Sequence, residues 1–294
     1  MQQTSNSIPD ISLRDGTVIP QLGFGTLRVQ PDREPTPANI ETTAEIVGLA
    51  LQAGYRHIDT AQSYGTEAGV GRAIAASGIP RDELYVTSKL SNDNHRPDEV
   101  RRSFDQTLQN LGLAQLDLFL IHWPLPTLFD GDYVSTWKAV TDLVAGGTLR
   151  TAGVSNFQPA HLDRIIAETG IVPAVNQVEL HPYFANGAVR AAAERHGLAI
   201  EAHSPLGHNG EPLTDETITR IAASHGRSAA QVILRWHIQH GHIAIPKSAR
   251  PGRMRENIQV LDFELTAGQI AAIDALDRGP GGRVGPNPDS YEGI

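Results

Sequence analysis

Four side chains, Asp59, Tyr64, Lys89 and His122, have the chemistry needed to protonate an oxygen atom as negative charge builds on it. Tyrosine is a weak acid, protonated at neutral pH, and a nearby ammonium favours its phenolate and so strengthens the acid. Lys89 supplies such an ammonium. Asp59 would hold it charged and oriented through an ion pair, and His122 could donate a hydrogen bond to a carbonyl oxygen that becomes an alkoxide. Each residue alone has a plainer reading: Asp59 as a helix cap, Tyr64 before Gly65 as a turn residue, His122 before Trp123 and Pro124 as a satisfied core histidine. Their joint placement argues for chemistry. They stand at or just beyond the ends of three apolar runs, residues 55–58, 84–86 and 116–121, each followed by a polar or Pro/Gly stretch and a helical pattern. Asp59 and Lys89 are 30 residues apart and Lys89 and His122 are 33 apart, close to one strand-helix repeat.

The elements that position these groups follow the same grammar. Residues 11–13 and 18–20 flank Asp15-Gly16 and read as a β-hairpin, followed by a first strand at 22–25 and a first helix at 39–52 that stops at Gly54. Helices are expected at 67–76, 97–111, 134–145, 159–168, 188–196 and 215–224, and strands at 149–154, 174–177, 199–202 and 243–245. Two more helical patterns, 228–239 and 266–276, exceed what a bare barrel needs and are expected to pack outside it. The reading is an α/β chain, a (β/α)8 TIM barrel with an N-terminal β-hairpin plug and extra C-terminal helices. A single domain, 1–294, is expected, with a polar N-terminal segment at 1–10 and a tail or loop at 279–294. In such a barrel, catalytic groups gather at the C-terminal ends of several strands, which is where the four residues fall.

Composition narrows the partners. With 294 residues, 40% of them hydrophobic, the chain has ample core for one large domain. A formal charge of −9 argues against nucleic acid or an anionic membrane as the main partner. No apolar run reaches membrane-span length, and residues 1–9 do not read as a secretory signal, so a cytoplasmic protein is expected. Zero cysteines exclude disulfides, thiolate catalysis and zinc-thiolate sites. Among twelve histidines, the sets His240 with His242 and His203 with His208 are closely spaced, but neither forms a metal-binding pattern, and no metal site is expected.

Several stretches resemble the aldo-keto reductase family over nearly the whole chain. They are Gly54-Tyr-Arg-His-Ile-Asp-Thr-Ala61 with Tyr64-Gly65, Thr87-Ser-Lys-Leu90, Asp117-Leu-Phe-Leu-Ile-His-Trp-Pro124, Gly153-Val-Ser-Asn-Phe157, Asn176-Gln177 with Glu179-Leu-His-Pro182, and Ile245-Pro-Lys-Ser248 with Arg253 and Glu256-Asn257. Residues 73–78, 235–237 and 282–284 are most similar to the prokaryotic branch that contains 2,5-diketo-D-gluconate reductases. The resemblance implies a barrel closed at its bottom by the hairpin, with NADPH extended across its C-terminal mouth and no Rossmann domain. It places Asp59, Tyr64, Lys89 and His122 at the catalytic positions, Tyr64 as general acid.

For the cofactor, the resemblance implies contacts from Thr26, Ser155, Asn156, Gln177, His203, Ser204, Leu206, Lys247, Ser248, Arg250, Arg253, Glu256 and Asn257. Ser155, Asn156 and Gln177 match the carboxamide-binding positions. Lys247, Ser248, Arg250 and Arg253 crowd seven residues around a helix start near Pro251, a setting that suits a phosphate dianion and favours NADPH over NADH. Charge alone would also allow a solvated basic patch there. His203 stands where relatives carry an aromatic residue stacked on the nicotinamide, which would give cofactor affinity a pH dependence. Leu27 and Ser91 replace larger aromatic side chains, so the substrate pocket of Leu27, Ser91 and Trp123 is expected to be roomy.

The implied activity is NADPH-dependent reduction of aldehydes or ketones to alcohols, on small dicarbonyls, keto sugars or aromatic aldehydes. The alternatives are a non-catalytic NADPH-sensing regulatory barrel and a structural use of the barrel. A monomer is expected.

Overall fold

The computed structural model describes residues 8–207 and 210–293. His208 and residues 1–7 of the N-terminal segment lie outside the described residues.

Strands β1 (Asp10–Ser12) and β2 (Val18–Pro20) form an antiparallel hairpin, with Ile11 opposite Ile19. Eight parallel strands follow: β3 (Phe24–Gly25), β4 (His57–Asp59), β5 (Tyr85–Leu90), β6 (Leu116–Ile121), β7 (Leu149–Ser155), β8 (Val175–Glu179), β9 (Ala199–His203) and β10 (Ile243–Ala244), each paired with the next. The first and last also meet. Gly23 N–H donates to Ala244 O at 2.9 Å and Gly25 N–H to Pro246 O at 3.1 Å, so the backbone ladder runs round the barrel and leaves few unpaired edge groups.

Period-two alternation sorts the strand side chains. Leu118 and Leu120 of β6, Val175 of β8 and Ile243 of β10 point inward and pack with Tyr85 and with Leu13 and Ile19 of the hairpin. The hairpin therefore plugs the end of the barrel opposite the strands' C-termini. Residues of the other parity, such as Ile58, Val86, Phe119, Ile121 and Ala202, pack outward against the helices. Full burial of each such Val, Ile or Phe side chain contributes about 1.5–3 kcal/mol. Truncating Phe119, whose ring meets that of Phe104 at 5.0 Å, would open a cavity between strand and helix layers.

The helices are α1 (Pro37–Gln52), α2 (Glu67–Ala76), α3 (Pro97–Leu111), α4 (Tyr133–Ala145), α5 (Pro159–Thr169), α6 (Gly187–His196), α7 (Glu216–His225), α8 (Ala229–Gln239), α9 (Pro251–Ile258) and α10 (Ala267–Asp274). Their starts are chemically set: Thr36 caps α1, and Ser228 with Gln231 and Thr266 with Gln269 form capping boxes on α8 and α10.

Two expectations need correction. The strand expected at 84–86 runs on to Leu90, so Lys89 lies inside β5 rather than beyond its end. A lysine does not look like a strand interior, and here it is one because a carboxylate awaits it. Helix α8 is not an outer appendage. Residues Gln231 to Ile238 are all buried, because α8 packs against β10 as part of the helix layer. The stretch expected as a tail or loop at 279–294 has no α-helix or strand through residue 293. It starts with a 3-10 turn at Gly279–Gly282 and docks on the barrel mouth.

Candidate active site

Asp59 is the last residue of β4 and points into the barrel. Lys89 Nζ, wholly buried, donates to Asp59 Oδ1 at 2.6 Å, to Asp59 Oδ2 at 2.8 Å and to Thr60 O at 2.9 Å. All three ammonium hydrogens thus have acceptors, the condition for keeping a charge in a dry interior. Gln177 Nε2 donates to Asp59 Oδ2 at 2.9 Å and so fixes the carboxylate from the opposite side of the barrel. Burial, the largest single influence, would lower the Lys89 pKa, but the Asp59 charge, the neighbouring Tyr64 and the hydrogen bond to Asp59 act together against it, and the ammonium is held above its ordinary value.

Tyr64 closes a 3-10 turn, Gln62–Tyr64, on the loop after β4. Gly65 follows at φ 71°, and a Cβ there would collide with Arg33 O, so a glycine is required to swing Tyr64 over the mouth. Lys89 Nζ lies 4.9 Å from the centre of the Tyr64 ring, and the His122 ring stands edge-on to Tyr64 at 5.6 Å. Burial raises the Tyr64 pKa, and Lys89 works against it without winning. The lowered value expected from the lysine alone is therefore not what the site holds, and the phenol is kept protonated. His122, just past β6, is pushed well below its ordinary pKa, by burial first and then by Lys89 and His203. Its imidazole is neutral and has one N–H to give.

Behind this cluster the strand ends carry a polar floor. Asn156, at φ 63°, donates from Nδ2 to His122 O at 3.0 Å and to Ser155 Oγ at 3.1 Å. Its Oδ1 lies 3.1 Å from His203 Nε2, and Ser155 Oγ donates to Gln177 O at 2.9 Å. Ser204, at φ 51°, begins the turn towards half-buried Leu206. Thr26 is wholly buried, its hydroxyl donating to Asp59 O at 2.9 Å. Leu27, Ser91 and Trp123 are half-buried.

The second sequence cluster surrounds the start of α9. Ser248 is buried, and its Oγ accepts from Arg250 N–H at 3.0 Å. Asn257 is buried, Glu256 half-buried, and Lys247, Arg250 and Arg253 are exposed. Among the described residues, none of these three cations has a carboxylate within ion-pair distance. Burial and then Arg28 lower the Lys247 pKa, a sign of like-charge crowding that a bound dianion would relieve. The residues present thus fit a phosphate-bearing dinucleotide, with acceptor capacity left on the Asn156 and Gln177 side-chain oxygens for its amide end.

Two features escaped sequence reasoning. Glu179 Oε1 accepts from Val284 N–H at 2.7 Å and Oε2 from Gly285 N–H at 2.8 Å, tying the C-terminal segment to β8. Tyr291 then reaches Trp123. The pattern Glu179-Leu-His-Pro182 marked the place but not the partner. Glu201, wholly buried on β9, also went unremarked.

The aldo/keto reductase family model matches residues 21–278. An aldo-keto reductase of Mycolicibacterium smegmatis is 48% identical over 96% of this chain and 98% of its own length. The 2,5-diketo-D-gluconic acid reductase B of a Corynebacterium is 45% identical over 93% of this chain and 95% of its own. Among solved structures, a Gox0644 mutant in complex with NADPH superposes with a TM-score of 0.89 at 42% identity, covering 97% of this chain and 99% of that one. The chain belongs to the aldo/keto reductase family, whose members are oxidoreductases. The (β/α)8 barrel expected from the sequence is the fold it has. Among the described residues, no helix is long and apolar enough to cross a membrane.

Proposed function

We propose that this chain is an NADPH-dependent reductase of aldehydes and ketones, with small dicarbonyls, keto sugars or aromatic aldehydes as the substrate class and Tyr64 as the general acid. The observation that carries the reading is the buried Lys89–Asp59 pair set 4.9 Å from the ring of a phenol that stays protonated. NADPH supplies the hydride. NADPH bound to a structural relative supports the choice of cofactor, as do the uncompensated cations around α9.

Lys247, Ser248, Arg250 and Arg253 hold the cofactor's ribose phosphate, with Glu256 and Asn257 beside its adenosine. Ser155, Asn156 and Gln177 face the carboxamide, and Thr26, His203, Ser204 and Leu206 line the rest of the path. The substrate oxygen sits between Tyr64 and His122. The His122 N–H donates to it, and the Tyr64 O–H gives its proton as the alkoxide forms. Lys89 does not donate to substrate. Its fixed charge stabilises the phenolate that Tyr64 becomes, and Asp59, braced by Gln177, keeps that charge in place. Leu27, Ser91 and Trp123 wall the pocket, with Tyr291 closing it from the tail.

Loss of NADPH absorbance with a panel of diketones, keto sugars and aldehydes tests the proposal. The wild type should turn over at least one of them, and Tyr64→Phe should lose on the order of 10²–10⁴ in rate, the usual contribution of a general acid, while still binding NADPH. Near-wild-type turnover by Tyr64→Phe would refute the acid, and tight NADPH binding without turnover of any carbonyl would refute the reductase.

A further inference from the structure

Glu201 lies in the barrel interior, on β9 two residues before His203, and neither it nor the facing His57 is exposed at all. Among the described residues, neither carboxyl oxygen of Glu201 has a hydrogen-bond partner. Its in-register neighbour Gln177 spends its Nε2 on Asp59, and β10 on the other side contributes Ile243 and Ala244. His57 Nε2 is 3.7 Å from Glu201 Oε1 but 3.1 Å from Thr87 Oγ1. An ionised carboxylate cannot be left so bare in a dry interior. The carboxyl must either find a cation or keep its proton.

We propose that Glu201 is a positioning residue, a neutral carboxylic acid held beneath the Lys89–Asp59 pair, and that its proton keeps the barrel interior free of a second negative charge so that Tyr64 remains an effective acid. This inference rests on the reading of Tyr64 as the general acid.

The charges in the interior support it. The titratable groups around Glu201 are His57 and Asp59 of β4 and Tyr85 and Lys89 of β5. Lys89 is committed to Asp59. Burial holds the His57 pKa down to about 3 and pushes the Tyr85 phenol well above its ordinary value, so both are neutral near pH 7. Among the described residues, no cation is left for Glu201. Burial first, and the Asp59 charge second, raise its pKa to about 8, with Lys89 opposing. Below that pH the interior is balanced. As pH rises through it, an extra negative charge appears under Lys89, the Tyr64 phenolate is disfavoured, and proton donation to the substrate slows.

The test pairs activity with a direct view of the proton, using the isosteric variant Glu201→Gln, which cannot ionise. With methylglyoxal as substrate, wild-type kcat/KM should fall about three- to tenfold between about pH 7 and pH 9.5, whereas E201Q should change by less than about twofold. Infrared difference spectra of wild type against E201Q, without cofactor, should show a protonated-carboxyl C=O band at neutral pH that titrates away near pH 8. Absence of the band would overturn the proposal, and so would a pH profile of E201Q that keeps the wild-type step. Failure of the underlying reading is distinguishable, because Tyr64→Phe would then turn over methylglyoxal like the wild type with the Glu201 band still present.

Discussion

Tyr291 lies against the indole of Trp123 with ring centroids 4.3 Å apart and planes inclined by 43°. The contact joins the last described turn of the chain to the loop after β6, which also carries His122. Three other fastenings hold the segment: Asn92 Nδ2 donates to Gly293 O at 2.5 Å, Asp289 lies 3.4 Å from His161 Nε2, and Glu179 accepts from two tail N–H groups. The C-terminal segment is therefore fastened beside Trp123, where the proposed function has it form one wall of the substrate pocket. An aromatic pair is worth about 0.5–1.5 kcal/mol beyond its buried area, so Tyr291→Ala should raise the KM for a small carbonyl by roughly two- to tenfold and leave NADPH affinity alone. A Tyr291→Ala enzyme whose KM is unchanged would show that this wall does not touch substrate.

Lys89→Met should damage stability and turnover together. Lys89 and Asp59 are buried, and removing one partner leaves a carboxylate in the barrel that only Gln177 addresses. Breaking a buried ion pair costs about 3–5 kcal/mol, which urea unfolding would register as a lower midpoint at unchanged slope. Adding Asp59→Asn should recover much of that loss without restoring turnover, since the charge proposed to stabilise the Tyr64 phenolate is still absent. Recovery of activity in the double variant would exclude Lys89 from that role.

Particular residues show why some of this was legible in the sequence and some was not. Asp59, Lys89 and His122 stood out because parallel barrel strands bring residues about 30 positions apart to one mouth, and because a buried lysine needs a carboxylate. The helices were readable from apolar periodicity and caps, and α2 and α3 begin and end where the pattern placed them. Helix α8 was misplaced because its buried face includes Gln231, Arg235 and His237, polar residues satisfied only by tertiary partners. The docked tail was invisible because it has no period. It is held by one carboxylate, two backbone N–H groups and a ring contact. Glu201 hid for a related reason, since a glutamate in an apolar run says nothing about whether a partner awaits it.

The basic cluster at α9 should discriminate between dinucleotides. Arg253 is exposed and without a carboxylate partner among the described residues, so its charge is available to the ribose phosphate that NADPH carries and NADH lacks. Arg253→Ala should weaken NADPH about tenfold or more at low salt and NADH less than about twofold, as read by quenching of protein fluorescence. The gap should narrow as salt screens the exposed charge. Equal losses for both cofactors would place Arg253 elsewhere on the dinucleotide.

Glu179 makes tail docking a pH-dependent part of stability. Burial alone would raise its pKa, but His181 Nε2 at 3.1 Å and the Val284 and Gly285 N–H groups favour the carboxylate and bring it from 4.5 down to about 2. A carboxyl depressed in the folded state stabilises it at pH values above the unfolded pKa. That contribution fades as pH falls from about 4.5 towards 2, because the folded state then resists a proton that the unfolded state accepts. It amounts to roughly 3 kcal/mol at pH 7. Glu179→Gln removes the charge, so the wild type should exceed the variant in urea unfolding free energy by roughly 2–3 kcal/mol at pH 7, with the difference shrinking as pH is lowered through 4. Gly285→Ala gives an independent reading, because its Cβ would come within 2.8 Å of Glu179 Oε2 and push the tail away from its anchor. A stability gap that stays constant from pH 7 to pH 3.5 would show that the Glu179 charge does not hold the tail.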